Sequence, residues 1–191
     1  LIDNRNNRET NENRTISSRA SNTMDITDNK NGYKMITRLY RDISYDNQLK
    51  ITSILVDQFR TDIEIHNTTK IHQVYNNDVL VALACTEYDE CVADLLRKRG
   101  CKEVETLGIR SDGIYLYNLW VSIKYRNHGI ARQLINYIEN YYRDHGKRSV
   151  RIQIRQNNNI SSRLFNKLGY LIEDSFNDKY GYIQLNLSKW L

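Results

Sequence analysis

The feature that most constrains the fold of this chain is a change of hydrophobic period near its middle. Residues 114–123 form an apolar and aromatic run that is typical of a central strand. After a short loop, Ile130, Leu134 and Ile138 recur at the spacing of one helical face. Gly146 then offers the left-handed conformation that commonly ends a helix. The pattern predicts a strand that leads directly into an amphipathic helix, whose apolar face must cover a sheet.

A second strand and helix follow at once. Val150, Ile152 and Ile154 alternate with polar residues, as in a strand with one buried face. Residues 161–168 then favour a helix, which Gly169 stops. Two such units in succession predict that strands and helices share one core.

The upstream part of the chain predicts a strand from Tyr33, a helix capped by Ser44 or Asp46, and a hairpin of strands 71–75 and 79–86. The asparagines and aspartate between the two hairpin strands tolerate the positive φ of a tight turn. The remaining predicted elements are a helix at 89–100 and strands at 170–174 and 181–187. The fold class is therefore α/β in the mixed α+β sense, with a central sheet flanked by helices.

Residues 1–32 differ in composition from the rest. They are rich in Asn, Arg, Ser and Thr and poor in large apolar side chains, so burial cannot offset the entropy of ordering them. We expect a flexible polar arm at 1–32 and one folded domain at 33–191.

Composition also excludes several classes of protein. No apolar run approaches the roughly 18 residues of a membrane span, and residues 1–10 lack the apolar core of a signal peptide, so we expect no membrane partner and a cytoplasmic location. The 3 cysteines and 4 histidines are not spaced as zinc ligands, so no metal site is expected. The net charge of +5 comes from basic residues scattered among carboxylates, which favours a solvated surface over a nucleic-acid interface. The oligomeric state stays open.

The loop between the first predicted strand and its helix carries a short motif. Small residues there let backbone N–H groups approach an anion at a helix N-terminus, as in a pyrophosphate site. The alternative is an ordinary turn with an arginine on the surface. The motif runs Arg126-Asn127-His128-Gly129-Ile130-Ala131.

A second motif lies one strand downstream. It runs Asn158-Asn159-Ile160-Ser161-Ser162-Arg163-Leu164-Phe165-Asn166-Lys167-Leu168-Gly169-Tyr170. The two motifs, in this order and with this spacing, resemble those of the GNAT-type N-acyltransferase family, and the resemblance extends over residues 33–187.

The resemblance implies a mostly antiparallel mixed sheet of about six to seven strands, splayed where acyl-CoA binds. The donor would be acetyl-CoA or another short acyl-CoA. The first motif would hold its pyrophosphate, the strand before it would pair with the pantetheine arm, and the second motif would contact it from across the cleft. The implied cofactor-binding residues are Leu119, Trp120, Val121, Arg126, Asn127, His128, Gly129, Ile130, Ala131, Asn158, Ser161 and Phe165.

The catalytic groups cannot be copied from the family. Many members carry a tyrosine that protonates the departing thiolate, but the matching residue here is Phe165, which can also be read as core packing. Glu87 could act as a base through water or could be a carboxylate at the rim. Simple alternation places Tyr115 and Tyr117 on the same face as Leu119, where their hydroxyls could reach an amine or could be buried in the core.

Two functions compete at this point. The first is an N-acetyltransferase that moves an acetyl group to a primary amine of a protein, peptide or small molecule by direct attack on the thioester. The second is an acyl-CoA sensor or interaction module with little catalysis, which the phenylalanine at the acid position favours. The resemblance places the acceptor pocket between residues 44–67 and 175–181, and neither segment identifies the acceptor.

Overall fold

One mixed sheet organises the chain. The computed structural model describes residues 24–28, 32–59, 65–89, 91, 110–178 and 180–191. The strands are β1 (Met24–Asp28), β2 (Tyr33–Leu39), β3 (Lys70–Asn76), β4 (Val79–Tyr88), β5 (Gly113–Val121), β6 (Ser149–Arg155), β7 (Leu171–Asn177) and β8 (Ile183–Trp190). The helices are α1 (Tyr45–Phe59), α2 (Ile130–Asp144) and α3 (Asn159–Lys167), with short 3-10 turns at Tyr40–Asp42 and Ile123–Tyr125.

The order of strands across the sheet is β1-β2-β3-β4-β5-β6-β8-β7. Every neighbouring pair is antiparallel except β5 and β6, which are parallel and are joined through α2. The predicted fold class, a mixed and mostly antiparallel sheet flanked by helices, is confirmed.

The sheet has one strand more than the sequence indicated. β1 lies inside the segment expected to be a polar arm, and its backbone pairs with β2 from Met24 opposite Thr37 to Asp28 opposite Tyr33. Composition registers the apolar surface of a segment but not the backbone hydrogen bonds that a sheet edge offers it.

The two faces of the sheet are covered by different helices. Helix α1 packs Ile51 and Leu55 onto one face, in a cluster with Ile71, Leu83 and Cys85. We call this the α1 face. Helix α2 covers the opposite face, the α2 face, through a larger apolar cluster that also includes residues of β6, α3 and β8.

Turn chemistry follows the sequence closely. Asn77 and Asp78 have φ of 47° and 62°, so the predicted positive-φ hairpin between β3 and β4 is confirmed. Gly146 and Gly169 have positive φ just beyond α2 and α3, where they were predicted to end those helices. The helix predicted at 89–100 lies almost entirely outside the described residues. Among the helices of the described chain, none combines the length and the apolar character needed to cross a membrane.

Candidate active site

The middle of the sheet opens into a cleft between β5 and β6. Their parallel pairing ends at Leu116 opposite Ile152. β5 nevertheless continues to Val121, and β6 continues to Arg155. From Tyr117 onward the β5 backbone therefore has no partner in β6. The splayed strands that the family resemblance implied are present.

A bulge in β5 lies at the start of this splayed half. Between Tyr117 and Trp120, β5 has one residue more than the facing part of β4, and Asn118 adopts a left-handed φ of 53°. Such an extra residue leaves the ladder and bends the strand. Tyr117 and Trp120 consequently pack against the α1 cluster, whereas Leu119 and Val121 pack against the α2 cluster.

The bulge overturns one expectation from the sequence. Simple alternation placed Tyr115 and Tyr117 on the same face as Leu119. The two tyrosines do share a face, with ring centroids 6.0 Å apart, but Leu119 lies on the other side of the sheet. The prediction was wrong because Asn118 reverses the alternation, and an alternating pattern carries no mark of an unpaired residue.

The loop after β5 is closed by contacts among its own residues. The Arg126 side chain turns back, and its Nε donates to the carbonyl oxygen of Val121 over 3.1 Å. The Arg126 carbonyl accepts from Nδ1 of His128 over 2.7 Å, and a carbonyl only accepts, so His128 carries a proton on Nδ1. Asn127 and Gly129 both have left-handed φ, 64° and 77°. These turns lead the chain sharply into α2.

Helix α2 begins without a side-chain cap because its N-cap residue is Gly129. The first amides of a helix have no acceptor within it, and together with the helix dipole they favour an anion. A Cβ built on Gly129 meets none of the described atoms within 4 Å, so the space beside the loop is open. The Ile130 side chain packs into the apolar cluster of the α2 face and not into this open space. These groups fit the pyrophosphate of acetyl-CoA.

Two other predicted contacts have local partners. The Val121 carbonyl already accepts from Arg126, so a pantetheine arm beside β5 would share that oxygen or use its neighbours. The Asn158 side chain caps α3, where its Oδ1 accepts from the Ser161 amide over 3.1 Å. The sequence assigned both residues to the cofactor and missed this cap, although an asparagine directly before a helix is a recognised capping signal. Their contact with the cofactor stays a prediction.

Phe165 is buried, with a relative exposure of 3%. Its ring packs edge-on against Tyr170, with centroids 5.0 Å apart, within the apolar cluster of the α2 face. This environment favours core packing among the two interpretations that the sequence left open.

Glu87 is the centre of a polar network on the α1 face. The side chain is 4% exposed, so the carboxylate does not lie at the rim. Its Oε2 accepts from the hydroxyls of Thr68, over 3.1 Å, and Thr69, over 3.0 Å. Thr69 Oγ1 also lies 3.1 Å from the hydroxyl of Tyr117. The structure thus joins Glu87 to Tyr117, two of the predicted candidates, through Thr69.

Tyr115 stands beside this network. Its register partners are Glu87 in β4 and Arg151 in β6. Burial raises the pKa of the Tyr115 hydroxyl, and the Arg151 guanidinium partly opposes that shift. Burial also raises the pKa of Tyr117 above its usual value. Both tyrosines are therefore neutral phenols at physiological pH, able to donate hydrogen bonds but not to act as phenolate bases.

Of the two segments expected to line the acceptor pocket, only residues 44–67 line the cavity found on the α1 face. A cavity of about 190 Å³ on the α1 face is lined by Lys50 of α1 and by Gln73 and Tyr75 of β3, among others. The turn between β7 and β8 lies elsewhere and is held by Asp178, whose Oδ1 accepts from the Tyr180 amide over 2.9 Å. Within the described residues, no group of three or more His, Cys, Asp or Glu side chains is placed to hold a metal ion.

The sequence missed Thr69 and the polar half of the α1 face. On β6 and β8 this half carries Arg151, Asn186 and Ser188, all buried. Gln153 donates to Asn186 over 3.1 Å. The sequence does show this polar face, because Arg151, Gln153 and Arg155 alternate with apolar residues. Without knowledge of the opposing strand, however, such alternation indicates a face exposed to solvent.

The fold and the site together define an acyltransferase architecture, with parallel strands that separate beside the uncapped N-terminus of a helix. The model of a family described as "Acetyltransferase (GNAT) family" matches residues 34–170, well over half of the chain. The chain therefore belongs to the GNAT family of acetyltransferases. Members of this family use acetyl-CoA. No curated protein matches the chain.

Solved structures agree with this assignment at the level of the fold. NAA60 of Arabidopsis thaliana in complex with acetyl-CoA is 17% identical, with a TM-score of 0.62, over 82% of this chain and 98% of that one. The same protein with a bisubstrate analogue is 16% identical, with a TM-score of 0.62, over 82% and 99%. The ribosomal-protein-S18-alanine N-acetyltransferase of Escherichia coli is 13% identical, with a TM-score of 0.55, over 82% and 93%.

Proposed function

We propose that this protein transfers an acetyl group from acetyl-CoA to a primary amine. The observation that carries the proposal is the separation of β5 from β6 beyond Leu116, directly before a left-handed loop at the N-terminus of α2. That arrangement offers unpaired strand backbone for an extended arm and free helix amides for its phosphates in one continuous cleft.

The loop residues divide the work of binding. The backbone amides from Gly129 onward receive the pyrophosphate, and the Arg126 guanidinium adds positive charge while it closes the loop. Leu119 and Trp120 contribute backbone on the splayed half of β5. Bound acetyl-CoA supplies an activated thioester with a fair leaving group, so positioning alone can remove several kcal/mol of the barrier.

The acceptor amine enters on the α1 face. Glu87, Tyr115 and Tyr117 lie together there, close to the point where β5 leaves β6. An amine attacks as the neutral base and must then lose a proton, so a carboxylate on this face has a chemical role available. The acceptor itself, whether protein, peptide or small molecule, is left open.

The competing function is an acyl-CoA sensor that binds without efficient turnover. The burial of Phe165, at the position where an acid would stand, favours it. We place the protein in the cytoplasm, where acetyl-CoA is available and a reduced thiol such as that of Cys85 is stable.

An assay of released CoA thiol distinguishes the two functions. The panel of acceptors contains polyamines, aminoglycosides, amino acids and peptides with free N-termini. The enzyme function predicts acceptor-dependent thiol release, together with acetyl-CoA binding by calorimetry. Tight binding with no release above the rate of thioester hydrolysis for any acceptor would favour the sensor, and absence of binding would reject both.

A further inference from the structure

The contacts of Thr69 fix the direction of a hydrogen-bond chain. Its hydroxyl lies 3.0 Å from Glu87 Oε2 and 3.1 Å from the Tyr117 hydroxyl. A threonine hydroxyl has one proton, and an ionised carboxylate can only accept. Thr69 therefore donates to Glu87, and Tyr117 must donate to Thr69. The chain runs from the tyrosine through the threonine to the carboxylate.

Tyr117 stands where such a chain is useful. It is the first residue of β5 beyond the last pair with β6, so it lies at the opening of the cleft. Thr69 is fully buried and Glu87 nearly so, which keeps the rest of the chain out of bulk water. A neutral phenol at this position can accept a proton only if its own proton leaves at the same time, and Thr69 is the acceptor in place to take it.

We propose that Tyr117, Thr69 and Glu87 form a proton relay that removes the proton of the acceptor amine. The proposal rests on the acetyltransferase function given above. As the amine nitrogen bonds to the acetyl carbon, its proton passes to the Tyr117 oxygen, directly or through one water. The Tyr117 proton passes to Thr69, and the Thr69 proton passes to Glu87. The carbon–sulfur bond breaks and its electron pair leaves with the CoA thiolate, so the products are the amide, the thiolate and a protonated Glu87. That proton then returns along the relay to Tyr117, which passes its own proton to the thiolate through water in the cleft.

Thr68 provides a matched contact outside the relay. Its hydroxyl donates to the same Glu87 oxygen over 3.1 Å, but this residue is exposed, and its hydroxyl bonds to Glu87 and not to Tyr117. A purely structural role, which is to hold the carboxylate in place, is shared by both threonines. A role in proton transfer belongs to Thr69.

The first test compares Thr69→Val with Thr68→Val and Thr69→Ser. A general base typically contributes about 100-fold or more, so Thr69→Val is expected to lower kcat by about 100-fold while the Kd for acetyl-CoA stays within about twofold. Thr68→Val is expected to lower kcat by less than about fivefold, because it weakens one hydrogen bond to Glu87 and leaves the relay intact. Thr69→Ser, which keeps the hydroxyl, should recover most of the lost rate.

Additivity provides a second test. Tyr117→Phe interrupts the same relay at its entrance. The kcat of the double variant with Thr69→Val should therefore lie within about twofold of the kcat of either single variant. Multiplied losses in the double variant, equal losses for the two threonine variants, or failure of Thr69→Ser to recover the rate would each overturn the relay.

A readout on the unloaded protein separates the relay from the proposed function. The side-chain carboxyl carbon of Glu87, assigned in carbon NMR by its loss in Glu87→Gln, reports the donors to that group. The chemical shift of this carbon should change in Thr69→Val and return to the wild-type value in Thr69→Ser. It should also change in Tyr117→Phe, because the Thr69 hydroxyl then no longer accepts a hydrogen bond from the phenol. If the chemical shift is the same in Tyr117→Phe as in the wild type, the hydrogen-bond chain is rejected even where turnover is normal. If the shift behaves as expected and no acceptor is acetylated, the acetyltransferase function fails and the relay with it, while the chain itself stands.

Discussion

Two hydrogen-bonded networks leave β4 from adjacent residues and serve different ends. On the α2 face, Thr86 lies 2.8 Å from Nε2 of His72 and 2.5 Å from the Tyr142 hydroxyl. On the α1 face, Glu87 accepts a hydrogen bond from Thr69, and Thr69 accepts one from Tyr117. Both networks use threonine and tyrosine hydroxyls around one titratable group.

The difference lies in where each network ends. The first is sealed between the sheet and α2, and its histidine is fully buried, so it can hold the helix but cannot exchange protons with a ligand. The second ends at Tyr117, beside the open half of β5. Similar polar groups therefore stabilise the packing of α2 on one face of the sheet and are available for chemistry on the other. The difference between them is access to the cleft.

The largest expected effect tests the α1 network. Glu87→Gln is expected to lower kcat by about 100-fold and to leave acetyl-CoA affinity unchanged, because the amide cannot take the proton. The matched control is Glu139→Gln. Glu139 is also buried, but it pairs with Lys189 over 2.6 Å beneath α2. The control should lower the melting temperature and leave kcat near that of the wild type. Equal kcat losses in both variants would remove the distinction between the faces.

Acid should weaken the α2 network. Burial, and secondarily Lys70, lowers the pKa of His72 from 6.5 to about 3. The unfolded chain therefore binds this proton more readily, so the stability from neutral His72 is complete above pH 6.5 and is lost as the pH falls toward the folded value. Between pH 7 and pH 5 the free energy of unfolding should fall by about 2 kcal/mol from this group.

Urea denaturation at both pH values measures this change. The wild type should show an excess pH dependence of this size over His72→Gln, which lacks the titrating ring. If the two proteins respond to acid identically, His72 does not titrate as its burial implies.

A substitution in the loop before α2 should change the affinity for acetyl-CoA and not the chemical step. Gly129→Val is expected to weaken the binding of acetyl-CoA by about tenfold, or about 1.4 kcal/mol. A β-branched residue resists a φ of 77°, and its side chain would face the phosphates. Gly146→Val is the control, since Gly146 has a φ of 73° beyond the other end of the same helix. Calorimetry should find weaker binding only in the first variant, even though both lose stability. Unchanged affinity in folded Gly129→Val would exclude the loop as the phosphate site.

The smallest expected effect concerns Phe165. Because its ring is buried against Tyr170, Phe165→Tyr adds a hydroxyl to an apolar cluster and should cost about 1 kcal/mol of stability with no gain in kcat. Melting temperature and turnover, measured together, decide the point. A gain of about threefold or more would mean that the new hydroxyl reaches the thiolate and acts as an acid.

The sequence predicted the local turns beside the candidate site, because each is contiguous in the chain. The loop from Arg126 to Gly129 and the end of α3 at Gly169 depend on local turn chemistry, which residue types reveal directly. The hydrogen-bond chain of the α1 face could not be predicted in the same way, because Thr69, Glu87 and Tyr117 meet only through strand register. The bulge was hidden for the same reason, since it exists only relative to β4.

That bulge makes β5 more sensitive to the residue type at position 118 than to the length of the strand there. Asn118 can be replaced by another residue that tolerates a positive φ, and glycine is the obvious one. Its deletion would leave Tyr117, Leu119 and Trp120 in plain alternation on their present faces and would remove only the bend. A β-branched residue that resists positive φ would instead favour a regular strand, in which Leu119 would turn toward α1 and Trp120 toward α2. The loop that Arg126 ties to Val121 would then be anchored from the wrong side. In homologous sequences aligned to this chain, asparagine, glycine or a gap should therefore be found at this position, whereas β-branched residues should be rare.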